Sequence, residues 1–155
     1  MKSTKDQKKA QAERDLFRQF ANAMSWPIEP DLIKNLEPPQ PDILYDGPNC
    51  KIAFELVENC SENLAHNNSK LINGNGQILI NTSDPTIKIV REKLANKYIT
   101  DYPIELLCYS NGKLATPNDM AVARMKNELE VAPQNPFRRV WYFGKQNKVF
   151  MVWEK

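Results

Sequence analysis

The chain has 155 residues, of which 41% are apolar and 26% charged, and a net charge of +2. These values suit one globular domain around one core and exclude a disordered or strongly basic chain. No apolar run approaches the roughly 18 residues that span a bilayer. The charged opening Met1–Lys9 has no apolar segment behind it of the kind a secretory signal carries, so a cytoplasmic location is the expectation. The three cysteines, Cys50, Cys60 and Cys108, are odd in number and scattered, which argues against a disulfide framework. His66 is the single histidine, so neither a zinc cluster nor a Cys-His or Ser-His hydrolase has its parts. No glycine-rich phosphate loop occurs.

In chain order, residues 1–8 read as a disordered tail and 9–155 as a single domain. A helix is predicted from Lys9 to Met24, because Ala12, Leu16, Phe17, Phe20, Ala23 and Met24 recur at helical spacing. Trp26-Pro27 ends it. Glu29–Gln40 contains Pro30, Pro38 and Pro39 and reads as a loop, with room for a helical turn at Leu32–Leu36. Asp42–Tyr45 and Lys51–Val57 read as strands joined by the turn Asp46-Gly47-Pro48-Asn49. Ile78–Ile80 is a short strand candidate. Pro85 opens a helix that reaches Tyr98. Ile104–Tyr109 is a buried strand closed by Ser110-Asn111-Gly112, and Thr116-Pro117 opens a helix to Leu129. Arg138–Phe143 and Val149–Trp153 flank Gly144–Asn147 and read as a C-terminal β-hairpin. The order predicts an α/β fold with a central mixed β-sheet flanked by helices.

Glu55 interrupts the apolar run Ile52-Ala53-Phe54-Glu55-Leu56-Val57. A carboxylate buried in a central strand is costly unless it is paired, protonated or bound to metal. Asp42 stands at the mouth of the preceding strand. A tight turn joins the two strands, so they pair antiparallel and bring the acids together. Two close carboxylates repel, and a hard divalent cation, Mg²⁺ or Mn²⁺, relieves that repulsion. Glu13 falls near the middle of the apolar stripe of the first helix, at about 100° per residue. It either joins this site or lies in the first turn, where it favours the helix dipole and reaches solvent.

The segment Pro41-Asp42 … Ile52-Ala53-Phe54-Glu55-Leu56 resembles the core motif of the PD-(D/E)XK nuclease superfamily, and the similarity of element order covers most of residues 10–110. The resemblance implies a restriction-endonuclease-like fold in which Asp42 and Glu55 hold the catalytic metal. It implies Mg²⁺- or Mn²⁺-dependent phosphodiester hydrolysis, with DNA as the expected partner, RNA as the second, no membrane, and a bacterial or phage-related setting. A homodimer stays open. One departure matters: the motif has lysine two residues after the second acid, and this chain has Val57. Some members carry that lysine on the neighbouring helix. The candidates here are Lys93 and Lys97, with Lys70 as a third. The helical count places Lys97 beside the apolar face and Lys93 further out. Surface lysines are the plain alternative for all of them. Arg138 and Arg139 could contact phosphates, or simply face solvent. Missing lysine at position 57 also supports a second reading, a catalytically silent PD-(D/E)XK-like domain that binds protein or nucleic acid. An immunity or adaptor protein with a chance Pro-Asp is a third. His66 and the terminal aromatics Trp141, Tyr142, Phe143, Phe150 and Trp153 read as surface and core residues respectively.

Overall fold

The computed structural model describes residues 3–59, 85–110 and 116–155. Helix α1 spans Thr4–Ala23, α2 Thr86–Ala95 and α3 Asn118–Val131. The strands are β1 Ile33–Asn35, β2 Ile43–Asp46, β3 Lys51–Glu58, β4 Ile104–Tyr109, β5 Arg139–Phe143 and β6 Val149–Glu154. They form one sheet in the order β1-β2-β3-β4-β5-β6. The pairs β1/β2, β2/β3 and β5/β6 are antiparallel, whereas β3/β4 and β4/β5 are parallel. The fold is therefore α/β with a mixed sheet, and the C-terminal hairpin is present. Among the described residues no helix is long and apolar enough to cross a membrane. His66, Lys70, Cys60, the Ile78–Ile80 strand and the Asn111-Gly112 turn lie outside the described residues.

Strand alternation divides the core into two layers. On one face, Phe17, Phe20 and Ala21 of α1 pack on Ile43, Tyr45, Ile52, Phe54, Leu107 and Trp141. Burying each of these aromatic rings stabilises the fold by roughly 2 kcal/mol. Phe17 and Phe54 meet with centroids 4.8 Å apart. On the other face, Val90 and Leu94 of α2 and Ala121, Met125 and Leu129 of α3 pack on Leu106, Cys108, Val140 and Tyr142.

Three local predictions need correction. Residues 1–8 are not a disordered tail throughout, because α1 begins at Thr4. Ser3 caps it, its hydroxyl accepting from the Asp6 amide at 3.1 Å. The stretch 29–40 is not all loop: Ile33–Asn35 pairs with Ile43–Tyr45 as an edge strand. That strand is made by pairing with β2, not by its own propensity. Finally, α2 stops at Ala95 and not at Tyr98, as Asn96 turns extended (φ −71°, ψ 150°). The chain then crosses to the proline loop, where the Ile99 amide donates to the Pro39 carbonyl at 3.2 Å.

Candidate active site

Strand β2 starts at Ile43, which faces Phe54. One step earlier, Asp42 stands beside Glu55, where the ladder has ended. The Leu56 amide has no strand carbonyl to meet there and donates instead to Asp42 Oδ2 at 2.9 Å. The Asp42 carboxylate thus lies at the open end of the β2–β3 ladder. Glu13 reaches it from α1 through a hydrogen bond, and Glu55 donates to it from β3. The acids that the sequence set far apart are direct neighbours.

Glu55 is 6% exposed and alternates with Phe54 and Leu56, so it faces the α2 side. There Lys93 Nζ donates to Glu55 Oε2 at 3.0 Å. The predicted ranking of the two helix lysines is reversed. Lys93 reaches the acid pair, whereas Lys97 lies beyond the end of α2 and is exposed. The helical count failed because it centred the apolar face on Ile87, Val90, Arg91, Leu94 and Tyr98, whereas α2 buries Thr86, Val90 and Leu94, which Lys93 flanks. Val57, partly buried, packs against the apolar layer under α2 and α3.

All three acids are harder to ionise than usual. Burial raises the Glu13 carboxyl, and Lys9 opposes the rise. Burial likewise raises Asp42, while its bonds from Glu55 and the Leu56 amide pull it down. Glu55 is pushed up to about 7, first by burial and then by the Asp42 charge, with Lys93 only partly offsetting both. Lys9 and Lys93 together leave the three carboxyls short of positive charge, so Glu55 is partly protonated near neutral pH.

This chemistry fits a hard divalent cation. Its donors are carboxylate oxygens, and their protons are the charge a cation would replace. Among the described residues no group of three or more acids, histidines or cysteines already converges as a cage. Mg²⁺ needs no such cage, because it commonly uses one or two carboxylates and keeps several waters. A cleft of about 310 Å³, lined by Lys9, Glu13, Asn35, Glu37, Pro38 and Asp42, reaches two of the three acids.

Arg138 and Arg139 are not brought to this cluster. Arg138 Nε donates to Glu105 Oε2 at 3.1 Å. Arg139 Nε donates to Glu154 Oε2 at 2.6 Å, and its Nη1 lies 3.7 Å from Glu105 Oε2. Glu105 is fully buried and also accepts from Trp141 Nε1 at 2.7 Å. Trp141 belongs to the α1 layer, so these groups occupy the face opposite Glu55.

Two residues escaped the sequence reading. Glu105 interrupts an apolar strand just as Glu55 does, and that same signal could have flagged it. Tyr98 has no such signal. Its position beside Glu55 depends on where α2 stops. The chain matches no protein-family model, no curated protein and no solved structure.

Proposed function

We propose that this chain is a divalent-metal-dependent phosphodiester hydrolase with a restriction-endonuclease-like PD-(D/E)XK core, acting on DNA, with RNA as the second candidate substrate. The observation that carries the reading is the contact of Lys93 Nζ with Glu55 Oε2 at 3.0 Å, beside Asp42. Val57 left the motif without its lysine. Lys93 offers one from the neighbouring helix, which weakens the argument for a silent binding module.

In this reading Asp42 and Glu55 hold Mg²⁺ or Mn²⁺. When bound, such an ion lowers the pKa of a water and offsets charge on the phosphoryl oxygens. The Leu56 amide fixes the Asp42 carboxylate, so that ligand is oriented before substrate arrives. Lys93 is a quarter exposed at its side chain and can turn from Glu55 toward a water or a phosphate oxygen. Glu13 stands behind Asp42 as an outer acid that can take a proton from the cluster. Lys9 lines the mouth of the cleft and is the cation best placed to meet a phosphate. Arg138 and Arg139 serve Glu105 and take no part.

The test is incubation with plasmid and with single-stranded DNA in Mg²⁺, in Mn²⁺ and in EDTA, beside Asp42→Ala, Glu55→Gln and Lys93→Met. The reading expects cleavage in either metal, none in EDTA, and none in the two acid variants. A folded wild-type protein that cleaves neither substrate in either metal overturns the catalytic reading and leaves a binding module in its place.

A further inference from the structure

A second cavity, of about 580 Å³, lies past the end of α2. That volume falls within the range of roughly 300–1,000 Å³ in which small ligands are usually held. Leu94, Tyr98 and Pro136 line it with apolar surface, and the Tyr98 ring is held on Phe137 with centroids 5.7 Å apart. Gln134 and Asn135 add two carboxamides, and Lys97 adds an ammonium. The Asn135 carboxamide is fixed, because its Oδ1 accepts from the Phe137 amide at 2.8 Å. Its Nδ2 is buried and has no hydrogen-bond partner among the described residues, a state that is costly and uncommon. One crossing of the chain joins this cavity to the acid cleft. The Ile99 amide, in the cavity wall, donates to the Pro39 carbonyl at 3.2 Å, and Pro38 lines the cleft that holds Asp42.

We infer that this cavity is a subsite for one unpaired nucleobase of the nucleic-acid substrate. The inference rests on the nucleic-acid-cleaving function proposed above, and it makes a single strand the preferred substrate. A base has two apolar faces and an edge of donors and acceptors. The faces suit Leu94, Tyr98 and Pro136. The edge suits Gln134 and Asn135, because a carboxamide carries a donor and an acceptor side by side. The orphan Asn135 Nδ2 is a donor for a base carbonyl. Lys97 suits the adjoining phosphate, which positions the strand without reading it. A base inside a duplex shows its faces only to neighbouring pairs, so only an unpaired one can enter. The strand then runs from the acid cleft, across the contact of Ile99 with Pro39, into this cavity.

The test compares a short oligothymidylate with a strand of the same length built of abasic sites, so that both carry the same charge. Binding to the full chain is read by fluorescence anisotropy in EDTA, with no metal and no turnover. Oligothymidylate should bind about ten-fold tighter. Asn135→Asp keeps the acceptor for the Phe137 amide and removes the donor, and Gln134→Ala removes the other carboxamide. Each should cut the preference for the base-bearing strand by about five-fold. Lys97→Ala should weaken both strands alike and lower the salt slope of each by about one. Melting curves verify that each variant is folded. Equal affinity of wild type for the two strands, or a preference that neither carboxamide variant reduces, overturns the subsite and leaves the acid cluster as proposed. A preference that behaves as expected in a protein that cleaves nothing in either metal keeps the subsite and overturns the hydrolase. A folded wild-type protein that binds neither strand overturns the nucleic-acid reading and this subsite together.

Discussion

Glu55 and Glu105 are two buried glutamates in apolar stretches of adjacent parallel strands, and they differ in what surrounds them. Glu105 is fully buried on the α1 face. Arg138, Arg139 and the Trp141 indole nitrogen all address its carboxylate. Its charge is matched, and both oxygens have donors. Glu55 on the other face has one lysine, and two further acids crowd it. Its charge is unmatched, and burial together with Asp42 pushes its pKa up to about 7. Burial alone therefore does not mark a functional acid. A buried acid with complete compensation holds strands together, whereas one that is left short of positive charge has capacity for a ligand.

Cleavage assays break this contrast most directly. Glu55→Gln and Asp42→Ala should each lower metal-dependent turnover by about a thousand-fold, since each removes a ligand for the ion. Glu105→Gln keeps an acceptor for Trp141 and should stay within several-fold of wild type. Equal losses in all three variants would dissolve the distinction. Stability should run the other way. Glu105→Ala leaves two arginines and an indole without their shared acceptor, at a cost of about 3 kcal/mol in denaturant unfolding. Both arginines are partly exposed, so water recovers some of the loss. Glu55→Gln removes a poorly compensated charge and should leave the melting temperature at pH 8 unchanged or raised.

The sequence made Asp42 and Glu55 legible because both signals are local: a strand broken by an acid, and a tight turn that pairs two strands. Their common position then follows from antiparallel register. The hairpin β5–β6 was legible for the same reason. The lysine was not. Its identity depends on which face of α2 is buried, and that face is set where Val90 and Leu94 pack on Leu106, Cys108, Val140 and Tyr142. Those are contacts between distant segments, invisible to a count at 100° per residue. The edge strand Ile33–Asn35 was hidden likewise, since its partner β2 creates it. The arginines look free in the sequence because Glu105, the acid that holds them, stands 33 residues before Arg138 in another strand. Glu13 fits two roles in the sequence alone, and its hydrogen bond with Asp42 selects the site.

Titration sharpens the contrast in a second way. In the unfolded chain Glu55 has its ordinary value of 4.5, and in the fold it stands at about 7. Between these values the folded state holds the extra proton, so stability is highest below pH 4.5 with respect to this group. It falls as pH rises to 7 and stays lower above. Glu13 and Asp42 shift in the same direction. Denaturant unfolding of the metal-free protein should therefore show stability decreasing from pH 5 to pH 8, by up to about 2–3 kcal/mol. Glu55→Gln should flatten most of that slope, and saturating Mg²⁺ should reverse it, because the ion takes the place of protons. A slope unchanged by Glu55→Gln would mean that the charge deficit lies elsewhere.

The smallest effect concerns the arginines. Arg139 is about one-third exposed, and it is tied to Glu154 at 2.6 Å and to Glu105 at 3.7 Å. To meet a phosphate it would have to leave both acids. Arg139→Ala should thus cost about 0.5 kcal/mol of stability, as partly exposed pairs do. It should leave the salt dependence of DNA binding unchanged. Lys9 lines the mouth of the cleft that holds Asp42, and Lys9→Ala should reduce the slope of log K against log salt by about one. Fluorescence anisotropy across a salt series reads both slopes on the same oligonucleotide. A lower slope in Arg139→Ala with none in Lys9→Ala would move the nucleic acid to the β5–β6 arginines and away from the acid pair. The opposite result would keep substrate and carboxylates on one path, with the arginines left to the single task of matching Glu105.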